Sequence, residues 1–140
     1  MERTLGILKP DCLQRKFMGR VINHLEEEGF TIINGMIKHL TRKEAEGFYS
    51  VHKDRPFFDD LIEFMMSGPV FIMLLERENG IVKLREVIGA TDPAQATPGT
   101  IRKKWAESIQ NNLIHASDSH ENASFEIKYF FPDVSIYGSK

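Results

Sequence analysis

Six consecutive apolar residues, Val70-Phe71-Ile72-Met73-Leu74-Leu75, stand between Ser67-Gly68-Pro69 and Glu76. An unbroken apolar run of strand length, without alternation, specifies a strand covered on both faces, which places it centrally in a sheet. The neighbouring segments supply the covering layers. Leu5, Ile7 and Leu8 form a second short run that Pro10 stops, since proline cannot donate to a ladder and restricts the residue before it. Strand one is therefore predicted over residues 3 to 9. Met18, Val21, Ile22 and Leu25 recur at i, i+3, i+4 and i+7, with Glu26, Glu27 and Glu28 turned to solvent and Gly29 as a stop, which is an amphipathic helix. Residues 30 to 40 carry β-branched and apolar residues and no acid, so a second strand is expected, with Gly35 as the site of a bulge.

Thr41-Arg42-Lys43-Glu44 has the form of a capping box and opens a helix that ends near Val51. After Asp54-Arg55-Pro56, the residues Phe57, Phe58, Leu61, Ile62, Phe64 and Met65 give a short helix that pairs with it as a hairpin. Ile81, Leu84, Val87 and Ile88 make a further helical stripe closed by Gly89, and residues 90 to 100, with two prolines, read as loop. A turn at Ile101 to Trp105, a last strand at Leu113-Ile114-His115 and a final helix from Glu121 to Phe131 complete the order β-α-β-α-α-β-α-β-α. The predicted fold class is α/β (α+β): a ferredoxin-like split βαβ sandwich, a four-stranded antiparallel sheet with helices covering it, as a single domain over residues 1–140.

Composition acts mainly by exclusion. Lys and Arg total 18 against 20 Asp and Glu, a net charge of -2, so no global field gathers polyanions and nucleic acid is not expected as a partner. Any phosphate must instead be held by a local group of cations. Cys12 is the sole cysteine, which excludes a disulfide framework and a Cys-rich zinc site, and no apolar stretch is long enough to span a membrane. A cytoplasmic location is the expectation.

The familiar phosphate cradles are missing: no Gly-x-x-x-x-Gly-Lys-Ser/Thr run occurs, no Gly-x-Gly-x-x-Gly follows a strand, and the Asp-Phe-Gly and His-Arg-Asp signatures of protein kinases are absent. Phosphoryl transfer would have to run through a side chain. A neutral imidazole nitrogen can do this, because it is nucleophilic near neutral pH and its phosphoramidate can be handed to a second acceptor. Of the histidines at 24, 39, 52, 115 and 120, only His115 sits at a strand end among small polar residues. A lone histidine near a strand is more often structural than reactive. Here Ser117, Asp118 and Ser119 offer partners for phosphate oxygens, and Glu126 offers a carboxylate to orient the ring. For Ser119, capping of the helix before Glu121 is an equally good reading.

Residues 112 to 119, Asn-Leu-Ile-His-Ala-Ser-Asp-Ser, resemble the Asn-x-x-His-Gly-Ser-Asp-Ser active-site signature of nucleoside diphosphate kinases, with Ala116 in place of glycine, a change that asks only for negative φ. The likeness covers nearly the whole chain. It implies that His115 is the phosphorylated residue, that Glu126 fixes its imidazole and that Ser117 is the hydroxyl partner. Leu8-Lys9-Pro10-Asp11 is similar to the family's strand-one motif, whose lysine reaches sugar hydroxyls and the transferring phosphate. Tyr49 takes the place of the tyrosine near the histidine. Within Lys53-Asp54-Arg55-Pro56-Phe57-Phe58, Phe57 matches the ring that stacks on the base, with Leu61 one turn on covering the same face. Read from periodicity, Phe57 and Tyr49 would be core aromatics, and Lys9, Arg85 and Arg102 solvated cations.

By the same resemblance Arg85, Thr91 and Arg102 contact phosphate and Asn112 completes the ribose site, with His52 and Arg55 as further phosphate contacts. On a regular strand, Asn112 and His115 would face opposite ways, so a bend between them is required. Residues 103 to 111 depart from the commoner family run, which bears on the placement of Arg102. The resemblance further implies Mg²⁺ arriving with the nucleotide, since the chain shows no protein cage for a metal, and Asp118 reaching its waters. The expected partners are nucleoside tri- and diphosphates and further copies of the chain, as tetramer or hexamer; the family's longer members extend beyond the position of Lys140 in tails that can help hold oligomers together. The implied activity is transfer of the γ-phosphoryl of a nucleoside triphosphate, mainly ATP, to diphosphates by a ping-pong route that fails at acid pH once His115 is protonated. Two alternatives stay open: a catalytically silent nucleotide-binding or assembly module of the same fold, and a ferredoxin-like sensor or nucleic-acid binder.

Overall fold

The structure is a computed structural model that describes residues 1–133; Val134 to Lys140 lie outside the described residues. Four strands, β1 (Glu2–Leu8), β2 (Thr31–Lys38), β3 (Val70–Arg77) and β4 (Ile114–Ala116), form one sheet in the order β2-β3-β1-β4, every pairing antiparallel. Because β1 and β3 are neighbours while β2 and β4 flank them, the connections from β1 to β2 and from β3 to β4 each pass over an intervening strand, whereas β2 and β3 are adjacent, which is the split βαβ arrangement. The covering helices are α1 (Pro10–Gln14), α2 (Met18–Glu27), α3 (Arg42–Phe48), α4 (Phe58–Met66), α5 (Gly80–Ile88), α6 (Ile101–Trp105) and α7 (His120–Phe130).

β3 lies in the sheet interior, and its alternate residues feed two cores. Met73 and Leu75 join Leu8 and Leu113 under α2 and α5, with Val21, Leu25, Leu84, Val87 and Ile88. Ile72 and Leu74 join Leu5 and Ile7 under α3, α4 and α7, with Ala45, Phe48, Ile62, Met65 and Ile127. The strand period of two thus sends one apolar run to both faces, and each fully buried aliphatic contributes about 1.5–3 kcal/mol.

Several boundaries differ from the sequence expectation. Pro10 does more than end β1: it occupies the first turn of α1, where its missing N–H has no helical acceptor to lose. The bulge in β2 falls between Ile32 and Asn34, not at Gly35, which stays in register opposite Met73. Gly35 is instead a spacing requirement, since a Cβ there would lie 2.5 Å from Cζ of Phe71. The capping box at Thr41 and Glu44 forms as expected, but α3 stops at Phe48 and a 3-10 turn, Ser50–His52, follows. Ile101–Trp105 is a helix rather than a turn, because the Thr100 hydroxyl caps Lys103 N–H. The last strand starts one residue later than predicted and the last helix one residue earlier, with Ser119 capping Asn122 N–H.

Candidate active site

β4 pairs with β1 so that His115 stands opposite Ile7, and this register carries the histidine beneath α7 and the end of α3. Ala116, opposite Gly6, is absent from the positive-φ positions, so the methyl group costs the strand nothing. His115 Nε2 lies 2.8 Å from Glu126 Oε1 on α7, and the Ser117 hydroxyl donates to that same oxygen at 2.6 Å. A carboxylate only accepts, so Nε2 carries the proton and Nδ1 keeps its lone pair. The rings of Phe48 and Tyr49 meet the imidazole edge-on at centroid distances of 5.2 and 5.7 Å, closing two sides of it. Tyr49 Oη is buried without a hydrogen-bond partner among the described residues. Burial, then the Glu126 charge, raise its pKa, so it remains a protonated donor beside the histidine.

The bend required between Asn112 and His115 is supplied by Leu113. Its φ is 76°, and Ile114 N–H donates to Asn112 O at 2.9 Å across it, a γ-turn in a region that L-residues rarely occupy. Asn112 is therefore aimed inward: its Oδ1 accepts from Lys9 Nζ at 2.8 Å and its Nδ2 donates to the Thr91 carbonyl at 3.0 Å. The Thr91 residue itself is exposed at the surface of the loop.

Lys9, at the end of β1, is only 8% exposed, and its pKa is lowered to about 8 by burial first, then by Arg102, against the opposing effect of Asp11. Arg102 is 5% exposed and donates to three carbonyls, those of Asn112 at 3.3 Å, Gly89 at 3.0 Å and Ile114 at 2.5 Å. The altered run after residue 102 thus leaves this arginine anchored. Burial, then repulsion from Arg85, lower its pKa to about 10. Arg85 is exposed on α5 and reaches the Ala116 carbonyl at 3.5 Å. Lys9 and Arg102 thus each carry a positive charge disfavoured by burial and by a neighbouring cation, a strain that an arriving anion relieves.

Phe57 opens α4 with 48% of its surface exposed. Its ring is 5.6 Å from His52, which in turn stacks on Tyr49 at 6.5 Å, so a continuous row of rings joins Phe57 to the histidine. Leu61 is half-buried one turn later and Arg55 is exposed. Asp118 lies at the surface, its carboxyl held below the usual range first by the Asn122 side-chain amide and further by Arg85. Among the described residues no three His, Cys, Asp or Glu side chains converge as a metal cage.

Two participants carried no role from sequence. Phe48, at the end of α3, packs on the imidazole, and periodicity marks it only as core. Asp11 is 4% exposed and accepts from Leu113 N–H at 3.2 Å; its signal was a carboxylate two residues after Lys9 at the strand-to-helix junction.

Against known proteins, residues 2–136 match the family model described as nucleoside diphosphate kinase. The chain is 49% identical over 140 residues to a nucleoside diphosphate kinase of Thiobacillus denitrificans, covering 100% of this chain and 99% of that one. A relative from Francisella tularensis subsp. novicida is 52% identical over 137 residues, 98% of each chain. Among solved structures, the Aquifex aeolicus nucleoside diphosphate kinase superposes with a TM-score of 0.92 at 42% identity, covering 96% of this chain and 98% of that one. A Halobacterium salinarum nucleoside diphosphate kinase in complex with CDP superposes at 0.90 with 37% identity, over 99% and 92% of the two chains. No helix among the described residues is long and apolar enough to cross a membrane.

Proposed function

This chain belongs to the nucleoside diphosphate kinase family, and from that premise we propose that His115 is its phosphoryl carrier. The activity is transfer of the γ-phosphoryl group of a nucleoside triphosphate to a nucleoside diphosphate. The observation that carries the assignment is the commitment of His115 Nε2 to Glu126, which leaves Nδ1 as a nucleophile on the strand that Lys9, Arg102 and Asn112 frame. In the first half-reaction an Nδ1–P bond forms as the bond from the γ-phosphorus to its bridging oxygen breaks, and the diphosphate leaves with that electron pair. In the second, a diphosphate oxygen of another nucleotide attacks the phosphohistidine and restores the imidazole. Glu126 holds the ring in one tautomer and balances the positive charge that the ring gains in transfer, while Lys9, Arg85 and Arg102 meet the charge on the equatorial oxygens.

Asn112 and Lys9 serve the sugar hydroxyls, and Thr91 the phosphates. Phe57 with Leu61 grips the base by its π-face, which every base offers, so base selectivity is weak. The residues present fit a nucleotide-borne Mg²⁺, with exposed Asp118 as the carboxylate that would hold its waters; the ion would supply charge neutralisation on the phosphates. We treat residues 1–140 as one such domain, acting on the cytoplasmic nucleotide pool. Edge strand β2, with Ile33 and Ile37 exposed, supports self-association as tetramer or hexamer, which light scattering would distinguish. The central test is incubation with γ-labelled ATP: wild type should give an acid-labile labelled protein and His115→Ala none. A labelled His115→Ala protein would overturn the assignment, and nucleotide binding without turnover by wild type would favour the silent module.

A further inference from the structure

Asp11 joins three groups that the reaction needs. It is 4% exposed at the first turn of α1, and its Oδ2 accepts the backbone N–H of Leu113, the residue at φ 76° between Asn112 and His115. The Leu113 carbonyl is tied in turn to Lys9 N–H at 2.8 Å, so the strained turn is gripped from both sides by the same Lys-Pro-Asp segment. Such a backbone conformation costs on the order of 1–3 kcal/mol and persists only where its surroundings over-determine it. Asp11 is also the acid that acts on Lys9, opposing the burial and the Arg102 charge that work against its protonation. Oδ1 of Asp11 has no hydrogen-bond partner among the described residues. A fold seeking stability alone would not bury a half-satisfied carboxylate: burial raises its pKa, and Lys9, the Leu113 N–H and Arg15 oppose that rise in favour of the anion.

We propose that Asp11 is a positioning residue for phosphoryl transfer: its carboxylate locks the Leu113 turn that aims Asn112 and His115, and its charge favours the Lys9 cation. The inference rests on the reading of Lys9 as a phosphate contact. The charged groups around Lys9 are Asp11 on α1 and Arg102 on α6, with Arg85 on α5 acting through Arg102 and Arg15 beside Asp11; Lys9 Nζ donates a hydrogen bond to Asn112 Oδ1.

Asp11→Asn keeps an acceptor for Leu113 and removes the charge. Titration of Lys9 followed by NMR of its ε-carbon should move from about 8 to lower pH by about one unit, the lower end for loss of a neighbouring opposite charge. The alkaline limb of kcat/KM should move with it, a loss of about fivefold at pH 8 by the same arithmetic. Asp11→Glu keeps the charge but displaces the carboxylate by a methylene, so kcat should fall at least about tenfold while the limb stays in place. An unmoved Lys9 titration in Asp11→Asn, or an unchanged kcat in Asp11→Glu with Leu113 N–H still protected from exchange, overturns the proposal. Lys9→Gln separates the underlying reading: if that variant retains the wild-type limb, Lys9 is not the phosphate contact, whereas the NMR titration still judges Asp11.

Discussion

Removing the carboxylate behind His115 gives the sharpest test of the proposed carrier. Glu126 Oε1 receives both the His115 Nε2–H at 2.8 Å and the Ser117 hydroxyl at 2.6 Å, and both side chains of the His–Glu pair are largely shielded, at 18% and 11% exposure. A hydrogen bond to a charged group is worth roughly 1.5–3 kcal/mol, and solvent screening reduces it little at this depth. If that energy serves mainly to orient the imidazole and balance its charge as the phosphoryl arrives, Glu126→Ala should slow phosphoenzyme formation by about 10- to 150-fold. Glu126→Gln keeps an acceptor oxygen but not the charge, and charge assistance roughly doubles such bonds. Its loss should therefore be about half in free energy, on the order of 3- to 12-fold. Rapid-quench single-turnover measurement with labelled ATP reads the first half-reaction directly, and thermal melts establish that each variant is folded. A folded Glu126→Ala protein that forms phosphoenzyme within about twofold of the wild-type rate would refute the reasoning that the carboxylate sets the nucleophile.

Three further outcomes follow from the site. Lys9 titrates near 8 in the folded protein against 10.5 when unfolded, so between those values the unfolded chain holds more protons and stability must rise with pH; denaturant melts should show wild type gaining on Lys9→Gln between pH 7.5 and 10. Gly89 has φ 95°, and a Cβ there would stand 2.6 Å from Thr100 Oγ1. Gly89→Ala should thus cost about 1–3 kcal/mol in chemical denaturation and, through the carbonyl that anchors Arg102, weaken nucleotide binding by calorimetry. Phe57→Ala should raise KM for purine and pyrimidine diphosphates alike by about 5- to 150-fold, the range for a lost stacking contact, with kcat little changed; loss confined to one base would count against a π-face grip.

The sequence by itself settled the parts of this protein that depend on local pattern. The unbroken run at Val70–Leu75 specified an interior strand, and the structure spends its alternate residues on two separate cores. The capping box at Thr41 was legible because both partners lie within four residues. The signature around His115 named the family because residue type and spacing survive in one dimension. What one dimension could not carry was any relation closed over long loops. The row of rings from Phe57 to His115, the Lys9–Asn112 bond across 103 residues, and the three carbonyls around Arg102 exist only because β4 lies beside β1. Gly35 shows the same limit: sequence read its freedom as a bulge, while the packed sheet used its missing side chain as room for Phe71. Leu113 is the clearest case. Nothing in a leucine announces positive φ, and local sterics oppose it. Long-range partners, Asp11 and Lys9 on the neighbouring strand and helix, impose it, and that imposed turn brings Asn112 and His115 into one site.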